Sequence, residues 1–144
     1  MVQTSGNRGF TLVELAVVIV MLGVLATFAV PRYLSSVEKS RAAEAFHYLS
    51  RVEAGQERYH SSHGTYASSL ADLEGDLPAL KHFKTKGIAA SDPETLQFHW
   101  SQTLSRKGAS AGYGPYTVVF TENGFDPEAS TVTQYPEINP VSED

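Results

Sequence analysis

The N-terminal third of the chain contains a continuous apolar run. From Phe10 to Val30 almost every residue is apolar, and no charged residue occurs between Leu15 and Pro31. As a helix this segment would extend roughly 31 Å, at about 1.5 Å per residue, which matches a bilayer core of about 30 Å. Because the segment is apolar on all sides, an amphipathic surface helix is excluded. The pattern predicts a membrane-spanning helix.

From Arg32 to about His60 the pattern becomes amphipathic. Apolar side chains recur at steps of three, four and seven, which mark one face of a helix. Charged side chains, Glu38 among them, are expected on the solvated faces. No proline follows Pro31 until Pro78, so we predict one long helix that ends between His60 and Gly64. The apolar positions are Leu34, Val37, Ala45, Tyr48, Leu49, Val52 and Tyr59.

The second half of the chain reads as a small β-rich region. Residues 74–94 resemble a loop, although Leu80, Phe83 and Ile88 are expected at the core. Alternation and β-branched content predict three strands, with a turn over residues 105–114 and another at Glu122–Phe125. The expected fold class is therefore α+β, with the long helix packed on a small antiparallel sheet. The predicted strands are Thr95–Ser101, Tyr116–Thr121 and Ser130–Tyr135.

Composition narrows the functional classes. Eleven basic residues against sixteen acidic ones give a net charge of −5, which argues against nucleic acid as a main partner. The chain has no cysteine, so disulfides, thiol catalysis and cysteine–zinc sites are excluded. No G-x-S-x-G motif or glycine-rich phosphate loop occurs, and we do not expect an enzyme.

Glu14 stands out inside the apolar run. A carboxylate at membrane depth costs about 2.5–3.5 kcal/mol on insertion scales. Either Glu14 lies near the interface and reaches the headgroups, or it meets a positive partner. The candidate partners are Arg8 and a free α-amino group made by a cut before Phe10. An ordinary secretory leader is disfavoured, because no small-x-small cleavage site follows the apolar run.

The residues Gly9-Phe10-Thr11-Leu12-Val13-Glu14, with Arg8 before them and the apolar run behind, resemble the prepilin signal of type IV pilins and type II secretion pseudopilins. The resemblance implies cleavage after Gly9 by a prepilin peptidase, N-methylation of Phe10, and pairing of Glu14 with a neighbouring subunit's amine. It also implies a helix kink at Pro31. The chain then divides into a leader (1–9), a transmembrane assembly helix (10–31) and a soluble head (32–144).

This resemblance implies that the chain is a structural subunit of a type IV pilus-type helical filament, with a pseudopilin of a type II secretion system as the alternative. Its expected partners are the peptidase, other subunits, the membrane and an inner-membrane assembly platform. The precursor would cross the bacterial inner membrane once, with its head outside the cytoplasm, before entering a periplasmic or extracellular filament. A membrane-anchored binding module is the alternative from another class, but such a module has no need of Glu14.

Two constellations could bind metal. Glu122, Asp126 and Glu128 place oxygen ligands in a Gly/Pro-rich turn, of the kind that calcium prefers, although the spacing is not that of an EF-hand. His60 and His63 form an H-x-x-H pair without nearby acidic residues, and we expect an ordinary polar helix end there. No cofactor is predicted, with calcium as the weak candidate.

Overall fold

The computed structural model describes residues 9–73, 75–89, 94–108 and 112–142. Its first element is a 52-residue helix, α1 (Leu12–His63), so the prediction of one long helix ending between His60 and Gly64 is confirmed. α1 continues through Pro31, and the kink there remains a prediction. The chain divides into two compact units, one ending at Leu34 and the other beginning at Ser35.

The segment after α1 is bound to the helix by a buried amide. The Gln56 side chain donates to the carbonyl of Ala67 at 3.1 Å and accepts from the N–H of Ala67 at 2.8 Å. Leu73 packs over Gly55, where a Cβ would lie 3.4 Å from the Cβ of Leu73. A short 3₁₀ helix, Leu70–Asp72, lies between these two contacts. The chain therefore forms one short helical turn against α1 before it reaches the sheet.

Four antiparallel strands form one sheet in the order β1-β2-β3-β4. Among the residues that the structure describes, β1 and β4 are therefore the two edges of this sheet. A register shift between Thr85 and Ile88 in β1 accommodates Gly87, whose φ of 81° favours glycine. The strands are β1 (Phe83–Ala89), β2 (Ser101–Arg106), β3 (Thr117–Thr121) and β4 (Gly124–Phe125).

One apolar core joins the second half of α1 to the sheet. From α1 it takes Ala42, Ala45, Leu49 and Val52, and all four are fully buried. Leu104 and Val118, which face each other across β2 and β3, are also fully buried. Together with the antiparallel sheet, this packing confirms the predicted α+β class. Further core members are Phe46, Tyr48, Trp100, Tyr116, Phe120, Val132 and Ile138.

Two predicted strands are wrong. Thr95–Gln97 is a 3₁₀ helix and Phe98 is 66% exposed, while β2 occupies Ser101–Arg106, where a turn was expected from residue 105. The alternation of buried and partly exposed side chains begins at Trp100, where the predicted strand was expected to end. The buried side chains of β2 include polar Gln102 and Arg106. Apolar alternation alone could not reveal a strand whose buried face is partly polar.

The segment Ser130–Tyr135 also forms no strand. Thr131–Gln134 is a 3₁₀ helix, followed by a second, Pro136–Ile138. The Ser130 hydroxyl accepts the N–H of Val119 at 2.9 Å, and the Thr131 hydroxyl accepts the N–H of Thr117 at 2.8 Å. β4 pairs only with Phe120 and Thr121, so these side-chain oxygens bind N–H groups of β3 that lie beyond the end of β4.

Strand β1 lies in the stretch of residues 74–94, whose sequence predicts a loop. Only Phe83 is fully buried among its residues, and Lys84, Thr85 and Lys86 are exposed. An edge strand with lysines and a glycine bulge has little apolar periodicity. The prediction that Phe83, Leu80 and Ile88 contribute to the core is confirmed.

Candidate assembly site in the N-terminal helix

The candidate site comprises Gly9, Phe10, Thr11 and Glu14, at the start of α1. Gly9 and Phe10 are exposed, with 88% of Phe10 accessible. The predicted cut between them therefore lies in accessible chain just before the helix. The other residues of the predicted leader, 1–8, include Arg8 and lie outside the described residues.

Glu14 is held by Thr11 in a reciprocal cap. Its Oε2 atom accepts the backbone N–H of Thr11 at 2.8 Å and the Thr11 hydroxyl, also at 2.8 Å. The Thr11 hydroxyl in turn accepts the backbone N–H of Glu14 at 3.2 Å. This is the capping box of a helix N-terminus, and it satisfies two N–H groups that the first turn leaves without helical partners.

The cap leaves one carboxylate oxygen available. Within the described part of the chain, Oε1 of Glu14 has no hydrogen-bond partner. The residue is exposed, so a positive group from outside could reach that oxygen. The cap was not predicted, although Thr11-x-x-Glu14 before an apolar run is its usual sequence signature.

The surface behind Glu14 is apolar and uncovered. α1 contains a window long and apolar enough to cross a membrane, and none of that window is buried. Its side chains are exposed from Leu12 to Val30, including Ile19 at 61% and Leu25 at 65%. An exposed apolar surface of this extent is typical of a helix that lipid or other apolar helices cover.

A second glutamate of α1 has a contrasting environment. Glu38, expected on a solvated face, is 1% exposed. Its Oε1 accepts Arg106 Nε at 2.5 Å and the Tyr116 hydroxyl at 3.0 Å. Its Oε2 accepts Arg106 Nη2 at 3.2 Å and Arg41 Nη1 at 3.1 Å. Glu38 thus joins α1 to β2 and to the residue before β3.

The buried Glu38–Arg106 ion pair shifts the pKa of Arg106 itself and that of the neighbouring Tyr116. The hydrogen bonds from Arg106 to Glu38 raise the pKa of the Arg106 guanidinium. Burial, and next the negative charge of Glu38, raise the pKa of Tyr116 well above its usual range. Arg106 is therefore charged and Tyr116 neutral at physiological pH. The spacing 38, 42, 45, 49, 52, 56 follows the core face of the helix, and could have identified Glu38 and Gln56 as buried.

The calcium candidates do not come together as a metal site. Glu122 Oε1 lies 2.7 Å from His99 Nδ1. Asp126 Oδ1 accepts the N–H groups of Glu128 and Ala129 at 3.0 Å, as in an Asx turn. Among the described residues, no group of three or more His, Cys, Asp or Glu side chains could hold a metal ion.

The H-x-x-H pair is engaged by aromatic stacking. The His60 ring stacks on Tyr66 with centroids 4.4 Å apart, and the His63 ring stacks on Tyr59 at 4.0 Å. The His63 Nδ1 atom also lies 2.8 Å from the Ser62 hydroxyl. These contacts fit the expected polar helix end.

Comparison with known proteins now bears on the N-terminal site. The family profile described as the prokaryotic N-terminal methylation motif matches residues 4–30, which include the exposed Gly9–Phe10 bond, the Thr11–Glu14 cap and most of the apolar segment. The predicted resemblance to type IV pilins and type II secretion pseudopilins is confirmed.

Individual relatives come from both groups. The chain is 35% identical over 72 residues to the type IV major pilin protein PilA of Myxococcus xanthus, covering 50% of this chain and 32% of that protein. It is 39% identical over 68 residues to the type II secretion system core protein G of Pectobacterium carotovorum, covering 47% and 44%. The fimbrial protein EcpC of Eikenella corrodens is 36% identical over 65 residues, covering 45% and 42%.

The chain thus spans less than half the length of each of these pilin and pseudopilin relatives. No solved structure gives a significant match to it.

Proposed function

We propose that this protein is a structural subunit of a type IV pilus-type helical filament, without catalytic activity. The observation that carries the proposal is the methylation motif over residues 4–30, continuous with an apolar helix whose surface is uncovered. Such a helix is stable in the bilayer as a precursor and against other apolar helices in a filament. The same helix therefore serves as anchor first and as packing surface afterwards.

The proposed maturation follows from the start of α1. A prepilin peptidase cuts after Gly9 and methylates the amine of Phe10, so residues 1–9 are a leader. Residues 10–31 form the transmembrane and assembly helix, with a kink at Pro31, and residues 32–144 form the head outside the cytoplasm. The exposed Gly9–Phe10 bond is accessible to such an enzyme.

Glu14 is the proposed assembly residue. Thr11 satisfies Oε2 while the subunit waits in the membrane, which reduces the cost of keeping a carboxylate there. Oε1 accepts the methylated amine of Phe10 from a neighbouring subunit, because opposite charges attract strongly where the dielectric is low. The inner-membrane assembly platform then extracts the paired subunit into a periplasmic or extracellular filament.

A pseudopilin of a type II secretion system is the second candidate. The similarity to core protein G supports it, and the absence of the two C-terminal cysteines common in pilins is compatible with it. The two candidates share maturation and assembly. They differ in outcome, since deletion of a pseudopilin abolishes secretion of exoproteins, whereas deletion of a pilin abolishes surface pili.

N-terminal mass spectrometry of the native protein tests the proposal. We expect a mature chain that begins at Phe10 with one methyl group on its amine. The matched control is Gly9→Leu, in which a bulky residue replaces the small one and the full leader should be retained. A wild-type chain that begins at Met1, or after Ala29, would contradict the proposed function.

A further inference from the structure

The two edges of the head's sheet carry opposite charges. At the β1 edge, Lys84 and Lys86 are exposed, and Lys86 lies in the bulge outside the regular ladder. Lys81 precedes the strand, and the Lys107 amine binds the carbonyls of Leu80 and Lys81 at 3.2 and 3.3 Å. Four of the chain's five lysines are thus gathered here, and they outnumber the α1 carboxylate of Glu44, which accepts the Lys81 N–H and lies 2.6 Å from His82 Nδ1.

The β4 edge is acidic. Glu122 lies in the turn between β3 and β4, where it is half-buried and paired with His99. Asp126 directly follows β4, and exposed Glu128 comes two residues later. A Cβ on Gly124 in β4 would come within 3.3 Å of Glu53 Oε1, so a carboxylate of α1 also reaches this edge. From Gly108 to Asp144 the sequence contains six acidic residues and no lysine or arginine.

Lysine on an edge strand is a common device against unwanted strand pairing. That role explains exposed lysines at β1, but it does not explain why the opposite edge bears the opposite sign. Two different, complementary surfaces on one subunit are what a head-to-tail contact requires, and repeated head-to-tail contacts generate an open helical filament. The charge arrangement therefore fits another copy of this chain as the partner.

We propose that neighbouring heads in the filament contact each other through these edges. The lysine edge, defined as Lys81, Lys84, Lys86 and Lys107, faces the acidic edge of the next head, defined as Glu122, Asp126 and Glu128. This inference rests on the proposed filament function and deepens it, because it names the surfaces that bring heads together in addition to the apolar helix. Charges of one sign on each surface also disfavour pairing of two like edges.

Charge reversal in the full-length chain tests the contact, with sheared-filament yield as the readout. Lys84→Glu with Lys86→Glu should reduce the yield at least tenfold, while cleavage before Phe10 and Trp100 fluorescence remain as in wild type. Glu128→Lys alone should also reduce the yield. When Glu128→Lys is combined with the two lysine reversals, it should restore a substantial part of the lost filament yield. Lys39→Glu, which reverses the one lysine outside the edge, is the matched control and should assemble normally.

The outcomes separate this inference from the function on which it depends. A wild-type chain that is cut but forms no filament overturns both. Normal filament yield from the double lysine reversal overturns only the contact between edges. A reduced yield that Glu128→Lys does not relieve also overturns it, and would direct attention to anionic lipid as the partner of the lysine edge. Binding of the detergent-solubilised protein to phosphatidylglycerol vesicles, compared with phosphatidylcholine vesicles, would then be the relevant measurement.

Discussion

Glu14 and Glu38 lie on the same helix, in two regions that use a carboxylate differently. Glu14 is exposed, and its described partners come from Thr11, within the same turn. Glu38 is buried, and its partners include Arg106 and Tyr116, which are far away in sequence. Among the described residues, Oε1 of Glu14 has no hydrogen-bond partner, whereas each oxygen of Glu38 accepts at least two hydrogen bonds.

The difference between the two glutamates predicts different roles. Removing a carboxylate with only local bonds alters little of the folded head, but it removes a group that another molecule can use. Removing a buried carboxylate leaves a buried guanidinium without its counter-ion, and the fold loses stability. We therefore assign Glu38 to folding and propose Glu14 for assembly.

The largest effect on stability is expected from Glu38→Ala. It should lower the free energy of unfolding of the head by about 3–5 kcal/mol, because Arg106 would remain charged and buried without compensation. Trp100 is the only tryptophan and is 2% exposed, so its fluorescence during urea unfolding in detergent micelles reports on the head. Glu57→Ala, at an exposed position of the same helix, should cost less than about 1 kcal/mol. Equal losses in the two variants would contradict the role assigned to Glu38.

A smaller loss is expected from Gln56→Ala. The substitution leaves both the N–H and the carbonyl of buried Ala67 without the partners that Gln56 supplies, at about 1–3 kcal/mol for each unsatisfied group. The same fluorescence measurement would detect it. Gln97→Ala, at an exposed position, serves as the control and should remain within about 0.5 kcal/mol of wild type. A Gln56 variant as stable as this control would show that the segment around Ala67 does not depend on the amide.

The smallest effect concerns pH. Burial alone would raise the pKa of Glu44, but hydrogen bonds from the Lys81 N–H and from His82 outweigh it, and the pKa lies below its ordinary value. Burial alone would also raise the pKa of Glu122, but hydrogen bonds, chiefly the one with His99, outweigh burial and lower that pKa. For both, the stabilisation is present above the unfolded pKa of about 4.3 and is lost as pH falls through the lower folded pKa.

Burial, and next the charge of Glu57, raise the pKa of Glu53, which acts in the opposite direction. We expect the combined effect of Glu44 and Glu122 to exceed that of Glu53. The urea concentration at the unfolding midpoint should therefore decrease as the pH is lowered from 5 to 3.5. The double variant Glu44→Gln, Glu122→Gln should flatten this dependence. A midpoint that rises on acidification would mean that Glu53 dominates.

The helix and the N-terminal site were accessible from sequence because their signals are local. The apolar run and the Gly9–Glu14 motif need no knowledge of the rest of the fold. The sheet was harder, since β2 buries Gln102 and Arg106, which become acceptable inside only through partners on other elements. β1 shows almost no burial pattern, because a sheet edge is defined by its neighbour and not by its own side chains.

Buried polar residues on α1 show the same limit. The spacing of Glu38 places it on the core face of α1. A carboxylate can be buried at that position only because Arg106 and Tyr116 donate hydrogen bonds to it. Pairs such as Glu44 with His82, or Glu122 with His99, join residues 23 or more positions apart. Sequence spacing alone does not predict such contacts.

The proposed division of roles is tested most directly by the filament yield of Glu14→Gln, which keeps the side chain's shape and removes its charge. We predict that the variant is cut before Phe10, that its head unfolds at the wild-type urea concentration, and that it accumulates in the membrane unassembled. Glu14→Ala should behave alike, although its insertion becomes easier by up to about 2.5–3.5 kcal/mol. Sheared-filament yield relative to membrane-retained subunit measures the outcome, and normal filament yield from both variants would contradict pairing through Glu14.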